Sequence, residues 1–415
     1  MMIRLMRNQR LKPPELRELQ NKKLRAIIKH SYNHVPYYHH LFKEAKIKPS
    51  DIKSIDDLNK IPISKKEHIV NLPLEKLIAT NINLNNCMTL RTSGTTGNPL
   101  SLYWEIKARL TFFLQHYRWQ LECGDKITNK HVVIGARWVP VHPFQKIGIF
   151  ETKRISNFEN IETQIEEIKK FKPDTLIAYP SCVRILAKEA KEKGEQIKLS
   201  LIFTSGEILD EHTRKLARDV LNAEIFDGYG ASEVGGVCTE CVKHEGYHIW
   251  SDSVIVEITR DGEPVSTGER GEITATNLTN YAMPFIRYNV EDLGILIENE
   301  CSCGSPFPLM KITEGRKSDI VQLPDGKAIS ALSVYSCLLP IQGIKQFQMT
   351  QEKTDRFTVK IVKDSKFTDT TIEEVKQTLK QRLGDVEVEV FVVDNIPKEK
   401  SGKFRQFITK VPFQP

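Results

Sequence analysis

The 415-residue chain has no run of 18 or more apolar residues, which excludes a membrane-spanning helix. Its N-terminus, MMIRLMRNQRLKPPELRELQ, is basic but lacks an apolar segment before a small-residue cleavage site. No secretory signal is therefore expected, and the expected location is cytoplasmic. Cysteine is sparse, with eight in all. Cys87, Cys123, Cys182 and Cys337 are scattered, whereas Cys238, Cys241, Cys301 and Cys303 form two close pairs. That usage excludes a disulfide framework and fits a metal site in a reducing compartment. No GK[ST] follows the glycine-rich loop and no GxGxxG occurs, which excludes a Walker A loop and the dinucleotide fingerprint. There is no basic stripe with interleaved aromatics, so the net charge of +7 points to anionic substrates and not to nucleic acid. What remains is ordinary globular composition, 40% hydrophobic with 22 Gly and 20 Pro, enough for roughly two or three domains.

Apolar spacing predicts a helix over 12–30, with Leu19, Leu24, Ile27 and Ile28 on an uneven face. The following SYNHVPYYHH carries His34, His39 and His40; it reads either as a packed aromatic turn around Pro36 or as a triple-histidine metal site. Between 131 and 251 strand and helix alternate. HVVIG (131–135), TLIAYP (175–180) and LSLIFTSGE (199–207) read as buried strands; Glu162–Lys170 and Asp210–Leu221 read as helices. This grammar predicts a layered α/β core with mostly parallel strands. From 252 it changes to strands joined by turns at Asp261-Gly262 and Gly268-Glu269, a small antiparallel sheet. The polar segment 314–327 reads as a boundary. Beyond it lies a small α+β unit, with a helix near 330–338, strands at 357–362 and 386–393, and a helix at 371–383 capped by Thr370 or Thr371. It ends in a basic loop, PKEKSGKFRQ (397–406).

The sharpest local signal is MTLRTSGTTGNPL (88–100). Successive N–H groups and hydroxyls in Thr92-Ser93-Gly94-Thr95-Thr96-Gly97 suit phosphate oxygens, and the glycines let backbone approach closely. Three distant segments supply what such a loop needs. FDGYGASEVGG (226–236) offers Tyr229 as a face for a purine and Glu233 as a Mg2+ ligand. MPFIRYNVEDLG (283–294) offers Arg287 and Asp292, the latter as an acceptor for two ribose hydroxyls; the pair also reads as a salt bridge. Lys403, on a mobile basic loop, is a cation that can neutralise developing charge and then withdraw.

TSGTTGNP, YGASE, RYNVEDLG, GRKSD and SGKFR, in that order, resemble the signature set of the adenylate-forming enzymes. Within them the chain is similar to the phenylacetate–CoA ligase branch and to its relatives from capsular polysaccharide clusters, the CapK-like proteins. The resemblance covers the chain beyond about residue 20. It implies an α/β adenylate-forming fold: a large N-terminal layered domain with a small antiparallel sheet over 1–314, a hinge at 315–320, and a mobile α+β lid over 321–415. It implies that Ser93, Gly94, Thr95, Thr96 and Gly97 hold ATP phosphates. Ser205, Gly206 and Glu207 would line the adenine and acyl site, and Tyr229 with Gly230 would face adenine. Glu233 would contact Mg2+, Asp292 would bind the ribose, and Arg316 would sit at the nucleotide by the hinge. Lys403, with Thr96 and Glu233, would be catalytic. The chain departs from the branch in two places: Ser318 stands where a hinge Asp is common, with Asp319 beside it, and Asn289 with Val290-Glu291 replace residues of RYRTGD.

Cys241, His248, Cys301 and Cys303 are three thiolates and one imidazole, a tetrahedral set for a structural Zn2+. Their Cys–x6–His and Cys–x–Cys–Gly spacing resembles the zinc site of the same branch. Cys238 and His244 are alternative ligands.

The implied reaction is attack of a small carboxylic acid on the α-phosphorus of ATP, followed by acyl transfer to CoA. GARWVPVHPF (135–144) and AYPSC (178–182) are expected to wall the acyl pocket, with Arg137, Trp138, His142 and Tyr179 as polar handles. DIVQLPDGKAIS after the hinge motif departs from true phenylacetate–CoA ligases, which leaves open a carrier-protein thiol or a sugar amine as acceptor. A homodimer is a further expectation. A non-catalytic binding relative and a zinc-dependent nucleic-acid-binding protein are the disfavoured alternatives, the first because the phosphate loop, Glu233, Asp292 and Lys403 all match the family pattern.

Overall fold

The computed structural model describes residues 1–91, 100–136, 143–316 and 320–412. The chain divides into two compact units, Met1–Gly124 with Gly228–Thr313, and Asp125–Asp227 with Glu314–Pro415.

In the first unit the helix Pro13–His34 buries Leu24, Ile27 and Ile28, as its spacing predicts. Pro36 cannot continue that helix and instead opens the next, Pro36–Glu44. Tyr38 and Phe42 from this second helix join Leu24, Ile27 and Ile28 in one core with Ile255, Leu278 and Ile286. His39 Nδ1 lies 2.9 Å from the carbonyl of Tyr32, and His40 pairs with Glu44, so these histidines serve packing and surface, not a shared ligand set. The antiparallel strands Val254–Arg260, Arg270–Asn277 and Tyr288–Ile297 lie side by side. The Asp261-Gly262 turn has both residues at positive φ, the two-residue hairpin geometry expected of an Asp-Gly pair. Strands Cys87–Arg91 and Ser101–Glu105 pair antiparallel out to Arg91↔Ser101, which brings together the two ends of the glycine-rich loop. A buried ion pair, Arg118 with Asp252 at 2.9 Å, ties the helix Ile106–Glu122 to the sheet, and Asn8 donates to the same carboxylate.

The second unit is built on four parallel strands: Leu201–Ser205, Thr175–Ala178, His131–Gly135 and Thr152–Ser156, in that spatial order. Helices Ile161–Phe171, Pro180–Lys193 and Glu211–Leu221 alternate with them and bring Ile165, Val183, Leu186 and Leu221 into one core with Leu176 and Ile202 of the strands. Asn160 and Asp210 cap two of these helices, each accepting from the N–H three residues on. The strand at 175 stops at Ala178 because Pro180 opens the next helix. The C-terminal part has the hairpin Ile344–Lys353 and Arg356–Lys363, flanked in parallel by Phe407–Thr409 and Glu387–Val392, with the helix Asp369–Leu383. That helix is capped by Thr368, not by Thr370 or Thr371. Thr368 holds the extended backbone a cap requires, and Thr371 returns the contact, accepting from its N–H at 3.3 Å. Helix Pro180–Lys193 meets the C-terminal part through polar groups: Arg184 donates to Gln406 at 2.8 Å, Lys188 to the carbonyl of Ile344 at 2.9 Å, and Glu189 pairs with Lys345 at 2.6 Å. Among the described residues no helix is long and apolar enough to cross a membrane.

Candidate active site

Parallel strands present their carboxyl ends to one edge of the sheet, where loops can gather functional groups. Here the residues directly after the four strands are Ala136, Asn157, Tyr179 and Gly206. The basic loop lands on all four. Asn157 is fully buried and its Nδ2 donates to the carbonyl of Gly402 at 2.7 Å; its own carbonyl accepts from Lys398 Nζ. Gly402 has φ +80°, and a Cβ there would lie 2.5 Å from Asn157 Nδ2 and 2.6 Å from Ala136 Cβ, so only glycine fits. Tyr179 donates its hydroxyl to the carbonyl of Ser401 at 3.3 Å. Lys403 lays its stem in the space a side chain at 206 would fill: a Cβ on Gly206 would lie 3.2 Å from Lys403 Cε and 3.4 Å from Nζ. Glu207 accepts from the N–H and hydroxyl of Ser181, at 2.9 and 3.0 Å, and from the N–H of Phe404 at 2.7 Å.

The other expected nucleotide residues belong to the first unit. Tyr229, on the strand Glu224–Ala231, donates to Asp292 Oδ2 at 2.6 Å. Asp292 is presented by an irregular strand. Pairing passes from Glu272↔Leu293 to Thr274↔Asn289, so the 288–297 strand carries two extra residues there. Glu291 takes φ +67°, and its N–H is held by Asn289 Oδ1 at 2.7 Å. The local departure at Asn289-Val290-Glu291 is thus a supported bulge. A Cβ on Gly230 would lie 2.5 Å from the carbonyl of Gly235, so the turn bearing Glu233 closes only over glycine. Tyr288 donates to Glu233 Oε1 at 3.4 Å.

Arg287 belongs to neither group. It is buried, and its guanidinium bonds Glu257 through Nε at 3.1 Å and through Nη2 at 3.0 Å, with further bonds to the carbonyls of Ile61, Asn59 and Gly262. Its donors are spent on protein, and its ion pair is with Glu257, not Asp292. Burial holds the Glu257 carboxyl above the usual range, against the pull of Arg287.

Cys241, His248, Cys301 and Cys303 converge, their ligand atoms all within 4.8 Å of one another. Cys241 and Cys301 sulfurs are 3.6 Å apart, and Cys303 Sγ is 3.3 Å from His248 Nε2. His248 Nδ1 lies 2.9 Å from the carbonyl of Phe307, which orients the ring and leaves Nε2 toward the sulfurs. Burial lowers the His248 pKa and raises those of Cys241 and Cys301. Cys238 and His244 stand outside this group; His244 lies 3.4 Å from Glu240.

Thr92–Gly97, Arg137, Trp138, His142, Ser318 and Asp319 lie outside the described residues, as does the side chain of Arg316. Sequence reasoning missed Asn157, which sits in no recognisable motif; only the glycine of SGK signalled that something must pack against that loop. Ser181 lies in AYPSC, read as pocket wall, but its contact with Glu207 was not anticipated.

Residues 321–410 match the CapK C-terminal domain. The chain is 28% identical over 333 residues to the phenylacetate-coenzyme A ligase of Thermus thermophilus, covering 74% of this chain and 72% of that protein. It is 22% identical to protein CapK of Staphylococcus aureus, covering 96% and 90%. Its fold matches 2-hydroxyisobutyryl-CoA ligase in the postadenylation state with R3-HIB-AMP, at a TM-score of 0.82, 18% identity and coverage of 97% and 91%. Residues 4–279 match the AMP-binding enzyme model, and the chain belongs to that family.

Proposed function

We propose that the chain is an AMP-forming ligase that activates a small carboxylic acid with ATP and transfers the acyl group to CoA. The observation that carries this reading is the seating of Lys403 over Gly206, at the carboxyl ends of the parallel strands. In the first step a carboxylate oxygen bonds to the α-phosphorus and the bond to the bridging oxygen breaks, so pyrophosphate leaves. Little covalent work falls to the protein, and positioning with charge stabilisation lowers the barrier. The Lys403 ammonium stabilises charge on the carboxylate and α-phosphate. Asp292 holds the ribose, Tyr229 faces the base, and the 92–97 loop takes the β- and γ-phosphates. Mg2+, held through Glu233, would supply further neutralisation of the phosphates. In the second step the CoA sulfur attacks the acyl carbonyl and AMP leaves.

The four-residue cluster fits a structural Zn2+. A tetrahedral site with Zn–S near 2.3 Å places sulfurs about 3.8 Å apart, and Cys241 and Cys301 stand at 3.6 Å. Desolvation raises the thiol pKa values of Cys241 and Cys301, and a bound cation would favour their thiolate forms. The site would fasten the 241–248 segment to the 301–303 loop.

A second acceptor is favoured by one observation, the match of 321–410 to the CapK C-terminal domain. In that reading a carrier-protein thiol or a sugar amine replaces CoA, in a capsular polysaccharide pathway.

ATP–pyrophosphate exchange against a panel of small carboxylic acids, with and without CoA, tests both. Acid-dependent exchange with CoA thioester formation supports the ligase. Exchange without thioester transfers the proposal to the second acceptor, and no exchange with any acid overturns it.

A further inference from the structure

Glu207 stands in the family's nucleotide-lining segment, yet its side chain is engaged elsewhere. Oε2 accepts from the N–H of Ser181 at 2.9 Å, and Oε1 accepts from the Ser181 hydroxyl at 3.0 Å and from the Phe404 N–H at 2.7 Å. Ser181 lies in the first turn of the helix Pro180–Lys193, where N–H groups have no partner within the helix. The carboxylate is therefore fixed from one side by a rigid element. On its other side it holds the residue next to Lys403. Phe404 is buried, so its N–H must find an acceptor, and Glu207 provides it. The preceding residue, Gly206, has φ +83° and leaves the gap that Lys403 and the Tyr179 ring share. Two adjacent residues thus do two linked things: one makes room for the lysine stem, the other grips the backbone beside it.

We propose that Glu207 is a positioning residue for Lys403, a carboxylate anchored on Ser181 that captures the Phe404 N–H and so sets the lysine in place for adenylation. This rests on the reading of Lys403 as the adenylation cation. A charge-assisted bond of this kind shifts the seated population of the loop by roughly ten- to a hundredfold. Asn157 and Tyr179 hold the loop at Gly402 and Ser401, but Glu207 is the acidic side chain that accepts from the backbone beside the lysine.

Glu207→Ala and Glu207→Gln test this through two readouts. The first is kinetic. Acid-dependent exchange should lose roughly ten- to a hundredfold in kcat, with the KM for ATP little changed, while thioester formation from a supplied acyl adenylate and CoA is retained. Gln should lose less than Ala, because its amide oxygen still accepts from Phe404 while its NH2 opposes the Ser181 N–H. The second readout needs no substrate: the rate at which an amine-acylating reagent labels Lys403, read by mass spectrometry. It should rise several-fold in Glu207→Ala relative to Lys22 in the same sample. A raised KM for ATP with unchanged labelling would make Glu207 a nucleotide-lining residue and overturn the proposal. So would equal loss of both half-reactions with a lowered Tm. Should wild-type protein exchange with no acid, the proposed function fails on its own, and the labelling contrast still decides whether Glu207 holds the loop.

Discussion

The Tyr229 hydroxyl donates to Asp292 Oδ2 at 2.6 Å across 63 positions of sequence, coupling the residue proposed to face the base to the one proposed to hold the ribose. Losing a hydrogen bond to a charged acceptor costs roughly 1.5–3 kcal/mol, and ribose hydroxyls would restore part of it. Tyr229→Phe should therefore raise the KM for ATP about three- to tenfold with a smaller change in kcat. Steady-state kinetics check this. An unchanged KM with a lowered Tm would make the pair structural only.

Lys403→Ala should slow adenylate formation by roughly 10²–10³-fold while ATP binding is largely kept. Lys403→Arg should rescue little, because the planar guanidinium does not fit the gap between Gly206 and Tyr179. Single-turnover adenylation and equilibrium ATP binding separate the two effects. Equal loss of binding and chemistry would remove the proposed role.

Metal analysis of the purified chain should find about one Zn2+. Cys301→Ser should lose it and lower the Tm. Metal should also leave as pH falls, since the thiolates must bind protons, and those of Cys241 and Cys301 are already pushed up by burial. A metal-free, fully folded wild-type chain would remove the site.

Burial lowers the Lys188 pKa from 10.5 to about 8, Arg184 assists, and Asp364 and Asp210 oppose. Between pH 8 and 10.5 the unfolded chain holds the extra proton, so this residue's contribution to stability rises with pH there; below pH 8 the burial penalty is complete. Lys188→Met removes that slope. Its stability relative to wild type should be highest at pH 7 and fall by roughly 2–3 kcal/mol by pH 10. Denaturant unfolding at pH 7, 9 and 10 measures this, and parallel profiles would refute it.

Much of the fold was legible because it is written locally. The strands at 131, 175 and 201 and the helices between them follow from short apolar runs, β-branched residues and turn-formers. The Asp261-Gly262 hairpin follows from which residues tolerate positive φ. Thr368 was missed as a cap because several threonines compete in TDTT, and only the backbone angles choose among them. The paired cysteines and their spacing announced the set Cys241, His248, Cys301 and Cys303, and the positions of the atoms that meet leave the alternatives Cys238 and His244 outside it.

Arg287 shows where reading by residue type stops. Five residues before Asp292 in sequence it read as that carboxylate's salt-bridge partner, yet its φ of +44° and its burial turn it toward Glu257 and three carbonyls. Asn157 carried no signal at all, because its partner Gly402 lies 245 positions away.

By itself the sequence determined the alternation of elements, the glycines that turns require, and the chemical groups on offer: hydroxyl loop, carboxylates, lysine and thiols. These depend on backbone preferences over a few neighbouring residues. Only the tertiary structure decided which of those groups are spent on the protein and which stand at the strand ends. A hydrogen bond forms within about 3 Å, and packing between distant segments, not local preference, sets which atoms come that close.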